Sequence, residues 1–126
     1  MTGPVVGCVA RRRVLLVDDH SAFRAAAGAW LAHEGLTVVG ACADGEEALA
    51  RWADLRPDLV LLDLNLPGIS GVAVAEALAK APDPPAVIII SSDAEAGSDA
   101  QVRGAPVVGF IAKRDLTWPA IDALLC

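Results

Sequence analysis

The chain lacks the marks of several protein classes. None of its apolar runs approaches the ~20 residues needed to cross a bilayer; the longest are the size of a β-strand. Positive charge is scarce. Ten Lys and Arg stand against 16 Asp and Glu, a formal net charge of −6, which argues against direct grip on nucleic acid. The one basic cluster, Arg11-Arg12-Arg13, reads as a solvated lead-in to a first strand. No CxxC and no Cys/His pair stands at zinc-ligand spacing. Cys8, Cys42 and Cys126 are odd in number and far apart, which suits a reducing cytoplasm, with Cys42 as a small core residue. A secretory leader is not expected either, because Arg11 to Arg13 follow the short apolar run Val5-Val6 instead of preceding it. Residues 1–10 read as a flexible tail. Beyond them there is no internal repeat, no linker and no second block of composition. A length of 126 residues, 55% hydrophobic and 21% charged, suits one globular domain.

What is present is an alternation of short apolar runs with helical patterns. Val14 to Val17 is a continuous apolar run that stops at Asp18-Asp19, as a strand covered on both faces would. Ser21 is placed to cap a helix reaching Glu34, with Phe23, Ala27, Trp30 and Leu31 on one stripe and Gly35 ending it. Thr37 to Ala43 is a second strand. Asp44 and Glu47 form a capping box for a helix carrying Ala48, Leu49, Trp52 and Leu55, which Pro57 closes. Leu59 to Leu62 is a third strand ending at Asp63. A Pro-Gly loop and a helix from about Gly71 to Lys80 follow, broken by Pro82, Pro84 and Pro85. Ala86 to Ile90 and Val107 to Ala112 are strands four and five, ending at Ser91-Ser92 and Lys113. Thr117 caps a last helix with Pro119 in its first turn. Asp93 to Arg103 is poor in apolar residues and predicts only a short or mobile fourth helix. The pattern is (βα)5, an α/β fold with a doubly wound parallel sheet and helices on both faces.

In such a sheet, ligands bind at the carboxyl ends of the strands. Those ends carry Asp18 and Asp19, Asp63, Ser91 and Lys113. Three clustered carboxylates repel one another and raise one another's pKa unless a cation joins them. All-oxygen ligation with an incomplete protein shell points to Mg²⁺. Lys113 is then a counter-charge for an incoming phosphoryl group, Ser91 a hydroxyl donor to it, and a carboxylate a possible nucleophile. His20 lies beside the acids but has no second His or Cys at ligand spacing, and reads as a turn residue.

These segments resemble the receiver domains of bacterial response regulators, the CheY-like family, over nearly the whole chain from Arg13 to Leu125. Val14 to Arg24 (VLLVDDHSAFR) is similar to the family's first strand and acidic pair. Asp58 to Gly71 (DLVLLDLNLPGISG) is similar to its phosphorylation segment, with Pro67 and Gly71 at the expected offsets. Ile88 to Ser92 (IIISS) and Gly109 to Lys113 (GFIAK) resemble the strands bearing a switch hydroxyl, a switch aromatic and a lysine. The resemblance implies a flavodoxin-like sheet of order 2-1-3-4-5 and a receiver over residues 11–126. It implies Asp63 as phosphoacceptor, and Mg²⁺ held by Asp18, Asp19, Asp63 and the backbone carbonyl of Asn65. Ser91 and Lys113 would bind phosphoryl oxygens, with Ser91 and Phe110 as the switch pair. The implied partners are a sensor histidine kinase or phosphotransfer protein and a downstream protein, with a homodimer through the last strands and helices as one option. Neither nucleic acid nor membrane contact is expected, nor turnover as an enzyme. The sequence departs from the family where Ser91 replaces a commoner Thr, where Arg114 follows Lys113 in place of Pro, and where Pro106-Val107 replace Gly-Ala.

Two other functions fit parts of the pattern. A phosphohydrolase with an aspartate nucleophile would carry a second acid two residues after it; Asn65 stands there and cannot serve as a general acid. A receiver-shaped module that signals without phosphorylation would have no use for Asp18, Asp19, Asp63 and Lys113 together.

Overall fold

The computed structural model describes Arg13 to Leu125. The expected tail, Arg11, Arg12, Cys8 and Cys126 lie outside the described residues. Five parallel strands, β1 (Arg13–Val17), β2 (Thr37–Cys42), β3 (Leu59–Asp63), β4 (Ala86–Ser91) and β5 (Gly109–Ala112), form one sheet in the order β2-β1-β3-β4-β5. The helices are α1 (Ser21–His33), α2 (Gly45–Leu55), α3 (Gly71–Ala79), α4 (Ala100–Arg103) and α5 (Trp118–Leu125).

The continuous apolar runs are explained by two cores, one on each face. Val14, Leu16, Leu61, Ile88, Ile90 and Ile111 point to one side, where Ala27 and Leu31 of α1 and Ile121 of α5 meet them. Leu15, Val17, Val60, Leu62 and Val87 point to the other, against Ala48 and Trp52 of α2 and Val74, Ala75 and Leu78 of α3. Alternate residues of each strand thus serve opposite faces, and polar side chains are excluded until the strand ends. Cys42 is a free, buried thiol within the second core, as its composition suggested.

Helix boundaries differ from the pattern where caps compete. Ser21 does not cap α1: it is the helix's first residue, and His20 takes the N-cap without a side-chain bond. The C-terminus closes as expected, with Gly35 N–H on Ala32 carbonyl and Leu36 N–H on Leu31 carbonyl, both at 3.0 Å. Asp44 caps α2 through Glu47 N–H at 2.8 Å, while the Glu47 carboxylate reaches one residue further back than in a simple capping box, to Ala43 N–H. Strand β5 starts at Gly109, two residues after Val107, because a turn from Val107 N–H to Ala105 carbonyl holds Val107 off the sheet, and Pro106 has no N–H to offer a ladder.

Between β4 and β5 the chain makes a 3₁₀ turn (Ala94–Ser98) and then the single turn α4. Asp93 accepts from Glu95 N–H and Asp99 from Gln101 N–H. Two caps six residues apart divide what would otherwise be one helix.

The loop from β3 to α3 is pinned at Gly71, whose N–H donates to the Leu64 carbonyl at 3.0 Å. A Cβ there would run into the Asp63 carbonyl oxygen and stand 2.9 Å from Leu64 Cα. Both are backbone and cannot turn aside. Gly71→Ala should therefore destabilise the fold by about 1–3 kcal/mol, read as a lower urea midpoint at unchanged slope. An unaltered midpoint would mean that this loop is not held against β3.

Candidate functional site

Register brings the polar strand ends to one edge. Val17 pairs with Leu62, Asp63 with Ile90, and Ser91 with Ala112, so Asp18 and Lys113 each follow one residue past a paired position. The site straddles β1 and β3, where the chain order reverses and a crevice opens between loops.

Asp18, Asp63 and Ser91 are the buried polar residues among those described, at 1%, 3% and 0% exposure. Lys113 reaches across from the end of β5. Its Nζ lies 2.6 Å from Asp18 Oδ2, a close ion pair, and 3.5 Å from Asp63 Oδ2. The Phe23 ring of α1 stands 4.4 Å from the same nitrogen and supports the cation on another side. Asp18 Oδ1 accepts from the His20 backbone N–H at 2.8 Å, and Asp63 Oδ1 from Asn65 N–H at 3.2 Å. Asp19 is on the rim, with its side chain 38% exposed.

The two buried acids are not equivalent. Burial alone would push the Asp18 carboxyl up, but Lys113 and the backbone and ring of His20 together hold it below its ordinary value. Asp63 goes the other way: burial, with the nearby Asp18 charge adding to it, outweighs the Asn65 N–H and Lys113 and raises its carboxyl. Lys113 thus serves Asp18 first, and Asp63 keeps unbalanced negative charge. Asp18, Asp19 and Asp63 each bring a carboxylate oxygen into one compact group. A hard divalent cation fits that donor set, because it would supply the charge that one lysine does not.

Ser91 Oγ accepts from Asp93 N–H at 3.0 Å, which fixes the hydroxyl at the end of β4. Phe110 is half-buried on β5, two strands from Asp63 in the sheet order. Its ring lies where a Cβ on Gly97 would be, 2.7 Å from Cδ2. Gly97, which made the segment after β4 look thin, is thus the seat of Phe110. Asn65 and Asp93 are exposed and line one groove between the β3–α3 loop and the segment after β4.

Three contacts escaped sequence reasoning. They are the Phe23 ring against Lys113, Arg24 Nη1 donating to the Asp18 carbonyl at 2.6 Å, and His20 Nδ1 lying 3.0 Å from Asp18 Oδ1 and 3.2 Å from Asp19 Oδ1. All three come from the N-cap and first turn of α1, where the spacing from Asp18 was the available signal. There is no cis peptide among the described residues, and the bond after Lys113 is trans.

The family model described as the response regulator receiver domain matches residues 14–117. Over 84 residues the chain is 44% identical to the protein-glutamate methylesterase/protein-glutamine glutaminase 5 of Myxococcus xanthus, a match covering 66% of this chain and 24% of that protein. It is 34% identical to the response regulator GacA of Pseudomonas viridiflava over 102 residues, 80% of this chain and 48% of that one. The chain therefore spans about a quarter to a half of the length of these relatives. Among solved structures, the signal receiver domain of NarL from Mycobacterium tuberculosis superposes with a TM-score of 0.80 at 31% identity, covering 90% of this chain and 96% of that one.

The raised Asp63 carboxyl has a thermodynamic consequence. Its ionisation costs stability above the folded-state pKa, and that cost is relieved as pH falls through it. In metal-free buffer at pH 7, Asp63→Asn should melt higher than the wild type by about 2–5 °C. The gap should close as pH falls to about 4. Circular-dichroism melts at both values check this; a lower melting point for the variant at pH 7 would mean that Lys113 fully compensates Asp63.

Proposed function

The chain belongs to the response regulator receiver domain family, and from that premise we propose that it takes a phosphoryl group onto Asp63 from a sensor histidine kinase or phosphotransfer protein. The observation that carries this is the charge imbalance at the strand ends: an acid with a raised carboxyl, beside a lysine already committed to its neighbour. In the transfer, an Asp63 carboxylate oxygen forms the bond to phosphorus as the bond from phosphorus to the donor's imidazole nitrogen breaks, and that nitrogen keeps the electron pair. Lys113 Nζ and Ser91 Oγ are the chain's own groups for binding the phosphoryl oxygens. Asp18, Asp19, Asp63 and the carbonyl of Asn65 would hold Mg²⁺, which supplies charge neutralisation when bound.

We assign residues 11–126 to the receiver and its output to the face formed by β4, β5 and the segment between them. Phe110 sits there, Val108 is 44% exposed beside it, and a protein partner is the expected reader, a second copy of the chain included. A phosphoacceptor role in the cytoplasm suits the free thiol of Cys42, and no helix among the described residues is long and apolar enough to cross a membrane. Direct nucleic acid contact has no support in a net charge of −6. Turnover as a phosphohydrolase is disfavoured because Asn65, exposed in the β3–α3 loop, cannot protonate a leaving group.

Intact mass after incubation with acetyl phosphate and Mg²⁺ tests the assignment. The wild type should gain one phosphoryl group and Asp63→Asn none; equal gain in both would refute it. The lifetime of the modified protein is set by water in line with phosphorus. By resemblance to the family, Asn65 and Asp93 would flank the phosphoacceptor with short polar side chains, so the signal should reset quickly. Replacing Asn65 by Met and Asp93 by Leu should slow loss of phosphate roughly tenfold, about 1.4 kcal/mol in the barrier, followed by radiolabel decay. Decay at the wild-type rate would show that these side chains do not govern water access.

A further inference from the structure

The acidic site has a nitrogen at its edge. His20 Nδ1 lies within hydrogen-bond distance of both Asp18 Oδ1 and Asp19 Oδ1, at 3.0 and 3.2 Å. The ring is brought there by its own backbone, whose N–H donates to the same Asp18 oxygen at 2.8 Å. One donor atom from each of Asp18, Asp19, His20 and Asp63 falls within 4.8 Å of all the others. Opposite ligands around a small octahedral ion stand about 4.2 Å apart at a bond length near 2.1 Å. Small rotations of exposed side chains would therefore bring all four onto one ion.

The division of labour on Asp18 favours this. Lys113 occupies the Oδ2 side, so Oδ1 is the oxygen shared with His20, whose Nδ1 also reaches Asp19 Oδ1. The imidazole is two-thirds exposed, with its side chain at 66%, and can turn without disturbing either core.

Resting on the phosphoacceptor reading, we propose that His20 is a nitrogen ligand of the metal at this site and sets its selectivity. An all-oxygen set suits Mg²⁺, whereas imidazole adds strength mainly for borderline first-row ions such as Co²⁺ and Zn²⁺. The receiver then binds these ions in preference to Mg²⁺ by a margin that His20 determines, and the metal supply becomes a second input to the same site.

The test uses the full chain without phosphodonor. Calorimetric titrations with MgCl₂ and with CoCl₂ are compared for the wild type, His20→Ala and His20→Asn. The ratio of Co²⁺ to Mg²⁺ affinity should fall about tenfold or more in both variants. An unchanged ratio overturns the inference. A second readout needs no variant of His20. The chain has two histidines, His20 and His33, so its ¹⁵N-labelled imidazoles give a simple spectrum. Zn²⁺ should shift the Nδ1 signal of His20 and leave His33 in place, and Asp63→Asn should weaken that effect. A shift of neither ring, or zinc binding that survives Asp63→Asn undiminished, overturns the inference. Labelling of Asp63 by acetyl phosphate in Mg²⁺ is scored separately. Its failure would remove the phosphoacceptor reading, whereas an unchanged affinity ratio removes only the role of His20.

Discussion

Two carboxylates buried at the ends of adjacent strands, with one lysine between them, are the constraint around which the rest of the molecule is arranged. Asp18 and Asp63 are each almost wholly buried, and burial of an ionised group is tolerated only where partners replace water. Lys113 replaces it for Asp18 at 2.6 Å and only weakly for Asp63 at 3.5 Å. The surrounding contacts serve that arrangement: the Phe23 ring behind Lys113, Arg24 on the Asp18 carbonyl, and Gly71 closing the loop so that Asn65 N–H faces Asp63. The excess charge left on Asp63 has no structural use. A hydrophobic or amide side chain at that position would serve the fold better, which makes the acid there a candidate functional residue.

The features legible in the sequence were those set by burial. Continuous apolar runs could be read as doubly covered strands because nothing polar interrupts Val14 to Val17 or Leu59 to Leu62, and the polar residues that end them could be read as a site because parallel strands share one carboxyl edge. The features that escaped were set by competition among local hydrogen bonds. Ser21 and His20 are both plausible starts for α1, and the turn at Asp18 decides between them: Asp18 Oδ1 takes the His20 N–H, which puts His20 at the cap and Ser21 inside the helix. Asp93 and Asp99 are each good caps, and only the fold shows that both are used. His20 does sit in the turn before α1, as read, and its ring lies against the two preceding acids, a contact that their adjacency in sequence allows but does not require.

Gly97 shows why a segment can look deficient and still be specified. Its lack of a side chain weakened the helical pattern after β4, and the same lack makes room for the Phe110 ring. The turn that carries Gly97 begins at Asp93, whose N–H is bound to Ser91 Oγ. Lys113 follows three residues after Phe110 on the same strand end. Ser91, Asp93, Gly97, Phe110 and Lys113 therefore form a closed circuit of covalent and packing links running from the site to the β4–β5 face. On the proposed reading, a phosphoryl group on Asp63 would accept from the Ser91 hydroxyl, whose Oγ still accepts from Asp93 N–H, and would compete with Asp18 for Lys113 Nζ. Both contacts bear on the ends of the circuit, with the half-buried Phe110 ring between them. The signal on that reading would be a shift in population between packings of the same strands.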